Sequence, residues 1–338
     1  MLIKMTGFTV LGIVLLLLFV WFLDLGGLKT KLYVHMIVKM RVSPKRLQNI
    51  KTPKDYGMAF TNIDIITKDN VRLSAWEILA KEHSNKIILV NHPLTTTRYG
   101  SVEGLDGVTV EFLPMIKHLH DAGYNIIMYD HRGQGESDGG YGKTQKGVEA
   151  PVGAGVTEWQ DVIASIEYVN NHPKFKDYSI ALLSQCMGAN ATFLAWNKAP
   201  EQFNNSRIKC LVAIQPTISY KMVDRYIKLK TNMDLVQAVE QEQKRQFGFG
   251  YANALEDIKS VDIPILFSQV RKDQYTFDKG TKKNDIEQFF SNCPSQQKTM
   301  IWIGSDEAQS YGTNKRFDGY GYFNKHPEEL INFLSVHL

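Results

Sequence analysis

Short apolar runs alternate with longer segments of helical periodicity between residues 55 and 338, and this alternation constrains the fold more than any other feature. The run at 86–90 is apolar on both faces, as buried parallel strands are. Strands that alternate with helices predict an α/β domain with a largely parallel sheet. The predicted strands include KIILV (86–90), YNIIMYD (124–130), YSIALLS (178–184), IKCLVAIQP (208–216), IPILFSQV (263–270) and TMIWIG (299–304).

Residues 62–80 predict two further strands around the turn Lys68-Asp69-Asn70. Helices are predicted near Val110–Ala122, over 157–171, from about Met187 to Asn197, and from near Pro327. Residues 220–256 break the alternation, because they are polar, charged and helix-prone and lie between two strands. The sequence therefore predicts one α/β domain over 55–338, with a small helical lid at 220–256.

The amino terminus carries a long uncharged apolar run. It extends over 19 residues from Met5 to Leu23, and Asp24 ends it. A helix needs roughly 20 apolar residues to cross a bilayer. We therefore predict a single transmembrane anchor within residues 1–28. The alternative is a cleaved signal peptide, which would make the protein secreted or periplasmic.

The flanking charges predict the orientation of this anchor. Only Lys4 and the terminal amine precede the run, whereas the cations that follow it are Lys29, Lys31, Lys39, Arg41, Lys45 and Arg46. An excess of cations marks the cytoplasmic side, so we expect the domain in the cytoplasm. The basic juxtamembrane segment 29–54 also holds apolar residues. It either lies along the membrane surface or forms an ordinary linker.

Composition excludes several classes of protein. The net charge is only +4, and without a dense basic tract a nucleic-acid partner is not expected. Three cysteines are too few for a disulfide framework and agree with a reducing compartment. No motif for a metal or a cofactor is found, so neither is predicted. The 43% of hydrophobic residues suffices for a large core.

The stretch SQCMG places a cysteine where a predicted strand meets a helix. A nucleophile elbow needs small residues two positions before and two after the nucleophile, because strand and helix come close together. Cys186 meets this requirement with Ser184 and Gly188, whereas a nucleophile at Ser184 would be preceded by the bulky Leu182. The helix that follows would favour the thiolate. The alternative is a buried structural cysteine.

Two further segments supply partners for such a nucleophile. The loop after the strand 86–90 would give the backbone N–H of Leu94 to an oxyanion hole, together with the N–H of Met187. Pro93 has no N–H and can only shape that loop. Asp273 follows the strand 263–270, where the orienting carboxylate of a triad belongs, although it can equally be a surface residue beside Arg271 and Lys272.

These motifs together resemble the α/β-hydrolase superfamily over roughly residues 55–338. The motifs are DYGMAFTNIDIITKDNVRLSAWEI (55–78), DHRGQGES (130–137), TEWQDV (157–162), the elbow, and PILFSQVRKD (264–273). Cysteine in place of the commoner serine resembles the variation found in dienelactone hydrolases. The resemblance implies a mostly parallel eight-stranded sheet with helices on both faces and hydrolytic chemistry at its carboxyl edge.

The expected histidine base is missing from its usual place. In this superfamily it follows the last strand, and here that spacing falls on Gly319-Tyr320 or near Glu307. His326 is the remaining histidine of the region and the first candidate, at the predicted start of the last helix. Glu307, Tyr320, His92 and His131 are the alternatives, and a thiolate tolerates a weak base.

The leading hypothesis is a membrane-anchored hydrolase of an ester, thioester or lactone, with a small, lipid-like acyl substrate. Cys186 would be the nucleophile, His326 the base and Asp273 its orienting carboxylate. The alternative is a catalytically impaired hydrolase-fold protein that binds a ligand or partner without turnover. A structural membrane protein is the third hypothesis. The sequence does not indicate the oligomeric state.

Overall fold

The computed structural model describes residue 24 and residues 27–101, 109–142, 146–204, 207–304 and 319–338. Its centre is an eight-stranded sheet. The strands are β1 (Thr61–Ile66), β2 (Arg72–Ile78), β3 (Lys86–Asn91), β4 (Asn125–Tyr129), β5 (Ser179–Gln185), β6 (Ile208–Ile214), β7 (Ile265–Val270) and β8 (Lys298–Ile303).

The strands follow the order β1-β2-β4-β3-β5-β6-β7-β8 across the sheet. β1 pairs antiparallel with β2, and β2 pairs antiparallel with β4. All pairs from β4 to β8 are parallel. The predicted eight-stranded, mostly parallel sheet is therefore confirmed. Because β3 to β8 all run in the same direction, their carboxyl ends meet along one edge of the sheet.

The helices of the described residues lie on both faces of this sheet and above its carboxyl edge. They are α1 (Leu28–Val42), α2 (Leu113–Asp121), α3 (Trp159–Asn171), α4 (Met187–Lys198), α5 (Pro200–Phe203), α6 (Ser219–Thr231), α7 (Val236–Phe247), α8 (Ala254–Asp257), α9 (Ile286–Asn292) and α10 (Pro327–His337).

One predicted boundary is wrong. The helix expected from Val110 begins at Leu113, because residues 110–111 pair with 100–101 in a short antiparallel ladder. Pro114 then occupies the first helical turn, where its missing N–H costs nothing.

Alternating side chains of the central strands divide the core into two layers. In β5, Ile180 and Leu182 join the cluster that contains α3, α4 and α9. Ala181 and Leu183 join the cluster on the opposite face, with α2 and α10. Successive strand residues point to opposite faces of a sheet, so an uninterrupted apolar run is required in a strand that is covered on both sides.

Two buried carboxylates hold the turn that follows β4. Asp130 accepts the backbone N–H groups of Arg98 (2.7 Å) and Glu136 (2.9 Å). Asp161, in α3, accepts the backbone N–H (2.9 Å) and the Nε of Arg132 (2.7 Å). Neither Asp130 nor Asp161 is exposed. The DHRGQGES and TEWQDV motifs are therefore two halves of one buried polar network.

The segment after residue 27 forms a helix that packs on the predicted lid. Val34, Ile37 and Val38 of α1 are buried against apolar side chains of α6 and α7. Arg41 is buried as well, and its Nε donates to Oε1 of Gln243 at 3.0 Å. Burial lowers the pKa of Arg41. The segment predicted as a lid, residues 220–256, contains most of α6, all of α7 and the start of α8.

The predicted membrane anchor, Met5–Leu23, lies outside the described residues. Among the residues that the structure does describe, no helix is both long enough and apolar enough to span a bilayer.

We expect Asp161→Asn to lower the free energy of unfolding by about 1–3 kcal/mol, because one of the carboxylate oxygens that accept hydrogen bonds from Arg132 is lost, while Asp69 still pairs with the guanidinium. The control is Asp64→Asn, since Asp64 pairs with Arg72 at the surface with 58% of its side chain exposed. Surface pairs contribute about 0–1 kcal/mol. Urea denaturation of both variants measures the difference, and equal losses would contradict a structural role for Asp161.

Candidate active site

Cys186 occupies a sharp turn between β5 and α4. Its backbone has φ +49° and ψ −108°, an uncommon conformation for a residue other than glycine. Two hydrogen bonds fix the turn: the N–H of Cys186 donates to the carbonyl of Ile214 (2.8 Å), and the N–H of Asn190 donates to the carbonyl of Cys186 (3.0 Å). Strained backbone of this kind concentrates at functional sites.

The residues that flank Cys186 explain why small side chains are required. A Cβ atom on Gly188 would lie 2.4 Å from the carbonyl oxygen of Asn91, so no larger residue fits unless β3 or α4 moves. Ser184 is fully buried and accepts a hydrogen bond from Nδ2 of Asn91 at 2.8 Å. The steric argument that placed Cys186 at the tip of an elbow thus agrees with the geometry.

The loop after β3 lies against this elbow. The imidazole of His92 accepts the backbone N–H of His131 at Nε2 (2.9 Å), so its proton is on Nδ1, which donates to the carbonyl of Pro93 (2.7 Å). Burial and the neighbouring His131 hold the pKa of His92 well below its usual value. His92 is therefore neutral and shapes its own loop.

Leu94 and Met187 present backbone N–H groups near Cys186. Leu94 and Cys186 line the same cavity, and Met187 is the first residue of α4. Neither N–H is hydrogen bonded to another residue in the described part of the chain. The N–H of Met187 has no partner within the helix because it lies at the helix start. Together with the N–H of Leu94 in the facing loop, it could stabilise a developing oxyanion.

Gln134 joins this loop to the elbow helix, although it was not among the predicted site residues. It is buried, its Oε1 accepts the backbone N–H of Thr95 (2.8 Å), and its Nε2 lies 3.9 Å from the sulfur of Met187. Thr95 has a φ of +61°, which this hydrogen bond stabilises. The position of Gln134 inside the DHRGQGES turn was the available signal.

A cavity of about 180 Å³ lies above Cys186. Its floor is formed by Cys186 and the loop 93–96, and its walls come from α1, α6 and two tyrosines. Most of the lining is apolar. In the described part of the chain, Arg41 and Lys230 are the charged residues of the wall, and no carboxylate contributes to it. The cavity therefore suits an apolar group, and its charge disfavours a cationic one.

Two of the candidate bases, His326 and His131, do not line this cavity. His326 is outside it, at the start of α10, with 48% of its side chain exposed and its ring stacked on Tyr322. The structure thus does not bring His326 to Cys186. Glu307 lies outside the described residues. His131 contacts Asp161 through Nδ1 at 3.2 Å, within the turn after β4.

Tyr320 is the alternative that the structure brings to the cavity. It is 2% exposed and lines the same cavity as Cys186. The preceding Gly319 lies against the side chain of Gln215, just past β6, where a Cβ atom would be 2.4 Å from Cδ of that side chain. Of the candidate bases within the described residues, Tyr320 is thus the one that lines the cavity with Cys186.

Asp273 lies behind the cavity wall. It is 1% exposed, follows β7, and its Oδ1 accepts the backbone N–H of Tyr275 (2.9 Å), which itself lines the cavity. Asp273 is therefore not a surface residue beside Arg271. Its part in catalysis stays a prediction.

We expect Gly188→Ala to destabilise the protein by about 1–3 kcal/mol, because the new methyl group collides with the backbone of Asn91. The same variant should lose any activity that depends on Cys186, since the elbow must shift. Gly280→Ala is the control, because a Cβ there meets only Oδ1 of Asp278, at 3.3 Å. Thermal melts compare them, and an unchanged melting temperature for Gly188→Ala would contradict the tight contact.

Comparisons with known proteins agree with this architecture. The family model described as serine aminopeptidase, S33, matches residues 102–243, which is less than half of the chain. No curated protein sequence matches the chain.

Solved structures give a longer match. The esterase Pf2001 of Pyrococcus furiosus is 21% identical, with a TM-score of 0.63 over 88% of this chain and 99% of that one. The α/β-hydrolase GrgF from Penicillium is 15% identical, with a TM-score of 0.53 over 83% and 99% of the two chains. Dienelactone hydrolase from Anabaena variabilis is 11% identical, with a TM-score of 0.52 over 83% and 99%.

At these identities the solved structures establish the fold, and the family match adds support for a hydrolase. Together with the strand order and the turn at Cys186, they show that the chain has the α/β-hydrolase fold.

Proposed function

We propose that the protein is a hydrolase of hydrophobic acyl esters or thioesters that uses Cys186 as its nucleophile. One observation carries the proposal: a cysteine held at φ +49° at the floor of an apolar cavity, next to the N–H groups of Leu94 and Met187. Similarity to esterases supports the class of reaction.

The reaction has two steps. The thiolate of Cys186 attacks the acyl carbonyl, and the oxyanion accepts hydrogen bonds from the N–H groups of Leu94 and Met187. The bond to the leaving group breaks, the leaving group takes up a proton from the solvent, and an acyl thioester remains on Cys186. Water then attacks this thioester, which releases the carboxylic acid, restores the thiolate and returns one proton to the solvent.

Tyr320 is the group we assign to proton handling. Its hydroxyl can donate a hydrogen bond to the leaving group and accept one from the attacking water. A neutral phenol is a weaker base than imidazole, so the attack of water should be the slow step. A thiolate needs no base to attack, so the rate of acylation is less sensitive to having tyrosine in place of histidine.

We further propose that Met5–Leu23 attaches the protein to a membrane with its hydrolase domain in the cytoplasm. Support comes from the length of the apolar run and the cations that follow it.

A binding protein without turnover is the second candidate, and the presence of Tyr320 where a histidine was expected favours it. The two candidates differ after acylation. An enzyme turns over many substrates, whereas an impaired one stops at the acyl thioester or never reaches it.

With 4-nitrophenyl hexanoate we expect a burst of about one 4-nitrophenolate per protein, followed by slower turnover, because acylation outpaces deacylation. Intact-mass spectrometry should find one hexanoyl group, on the peptide that contains Cys186. Cys186→Ala should show neither burst nor adduct. Cys293→Ala is the control, since Cys293 is buried in the core and does not line the cavity. A burst in the Cys186→Ala variant would contradict the assignment of Cys186 as the nucleophile.

Tyr320→Phe keeps the ring in its packed position and removes only the hydroxyl. We expect the steady-state rate to fall by about 10²-fold, a usual contribution of general acid–base catalysis, while the burst amplitude is preserved. Stopped-flow kinetics separates the two phases. An unchanged steady-state rate would exclude the hydroxyl from deacylation.

A further inference from the structure

Helix α1 has a second face that is largely exposed among the described residues. It carries Leu28, Leu32, Met36 and Met40, with exposed fractions of 61%, 44%, 54% and 38%. A spacing of four residues places them on one side of the helix. Contiguous apolar side chains in water mark a contact surface.

Cations surround this apolar stripe. Lys31 and Lys39 are exposed on α1, and neither makes an ion pair within the described residues. At the end of α6, Leu229 is 57% exposed and lies between Lys228, which pairs with Asp224, and Lys230, which lines the cavity. We call Leu28, Leu32, Met36, Met40 and Leu229 the α1–α6 face.

The same two helices form walls of the cavity above Cys186. Met40 of α1 and Tyr226 of α6 line it and contact each other, because the hydroxyl of Tyr226 donates to the sulfur of Met40 at 3.7 Å. Lys230 lines the cavity on the α6 side. If the contact between Met40 and Tyr226 parts, an apolar chain that enters between α1 and α6 reaches the thiol from the α1–α6 face.

The chain before α1 is tied closely to this face. The carboxylate of Asp24 accepts the backbone N–H groups of Lys29 (2.8 Å) and Thr30 (3.3 Å), and its carbonyl accepts that of Gly27 (2.9 Å). The apolar run Met5–Leu23 thus ends one residue before a residue that is fixed to the start of α1. If that run enters a bilayer, Leu28 must lie at the bilayer surface.

We propose that the α1–α6 face lies on the surface of an anionic phospholipid bilayer, and that acyl substrates reach Cys186 from the bilayer by entering between α1 and α6, where the contact of Met40 with Tyr226 parts to admit them. The acyl-transfer part rests on the proposed function. Apolar side chains would insert at the boundary of headgroups and acyl chains, while the lysines meet lipid phosphates. The substrate is then a membrane-resident acyl ester or thioester.

Fluorescence quenching tests the location of the face without any catalysis. Met36→Cys in the full chain is labelled with bimane and reconstituted into phosphatidylcholine–phosphatidylserine vesicles that contain nitroxide-labelled phospholipid. The control sites are Ile66→Cys and Val336→Cys, which are exposed apolar positions in β1 and α10 at 58% and 75%. Each labelled variant also carries Cys186→Ala, because Cys186 lines the cavity and is the proposed nucleophile, whereas Cys210 and Cys293 are buried and should label slowly.

We expect the probe at residue 36 to be quenched several-fold more strongly than either control. Equal quenching at the three sites would overturn the proposal. The proposal would also be overturned if nitroxide lipid did not quench the probe at residue 36 and the probe became shielded only as the protein concentration rose. A second copy of the chain would then cover the face.

Kinetics tests the route to Cys186. The double variant Leu32→Ser/Met36→Ser changes exposed residues that do not line the cavity. With this double variant, the rate of hydrolysis of a long-chain ester embedded in vesicles should fall about tenfold, because the entrance between α1 and α6 is no longer held at the bilayer surface. Hydrolysis of water-soluble 4-nitrophenyl butanoate should not change. Equal effects on both substrates would overturn the route. A wild type inactive on both would contradict the proposed function, while the quenching result still decides the location of the face.

Discussion

The close approach of α4 to the end of β3 is the constraint on which the candidate site depends. Gly188, in the first turn of α4, packs against the carbonyl group of Asn91 at the end of β3. The chain must therefore turn within one residue after β5. That turn forces Cys186 to a positive φ, at a cost of about 1–3 kcal/mol. It also points the thiol toward the carboxyl edge of the sheet, where the loop after β3 begins.

The polar contacts around this approach offset the strain. Nδ2 of Asn91 donates to Ser184, and the hydroxyl of Tyr129 donates to Oδ1 of Asn91. The ends of β3, β4 and β5 are thereby joined through one buried amide. Gln134 continues the connection from the turn after β4 to the loop that carries Leu94. The oxyanion donors thus have their positions fixed by strands rather than by the loop alone.

The sequence predicted those parts of the molecule that follow from local sterics and periodicity. Strands covered on both faces must be continuously apolar, so six of them were visible as runs. The elbow was visible because only small residues fit at 184 and 188. The role of α1 was not, since its partner Gln243 lies about 200 residues away and α1 itself mixes apolar and charged residues. His326 was considered as the base because it is a histidine near the right place. Its stacking on Tyr322 and the helix that starts at Pro327 keep it at the surface.

The packing of α1 on the lid makes the amino-terminal segment part of the site. Ile37 and Val38 share one apolar cluster with Val223 and Ile227 of α6, and Ile37 and Val223 also line the cavity. Because both α1 and α6 contribute residues to this wall of the cavity, the wall exists only while the two helices stay packed together. Movement of α1 away from α6 would separate Met40 from Tyr226 and open the cavity to water. Contacts on the outer side of α1 therefore bear on the wall of the cavity that holds Cys186.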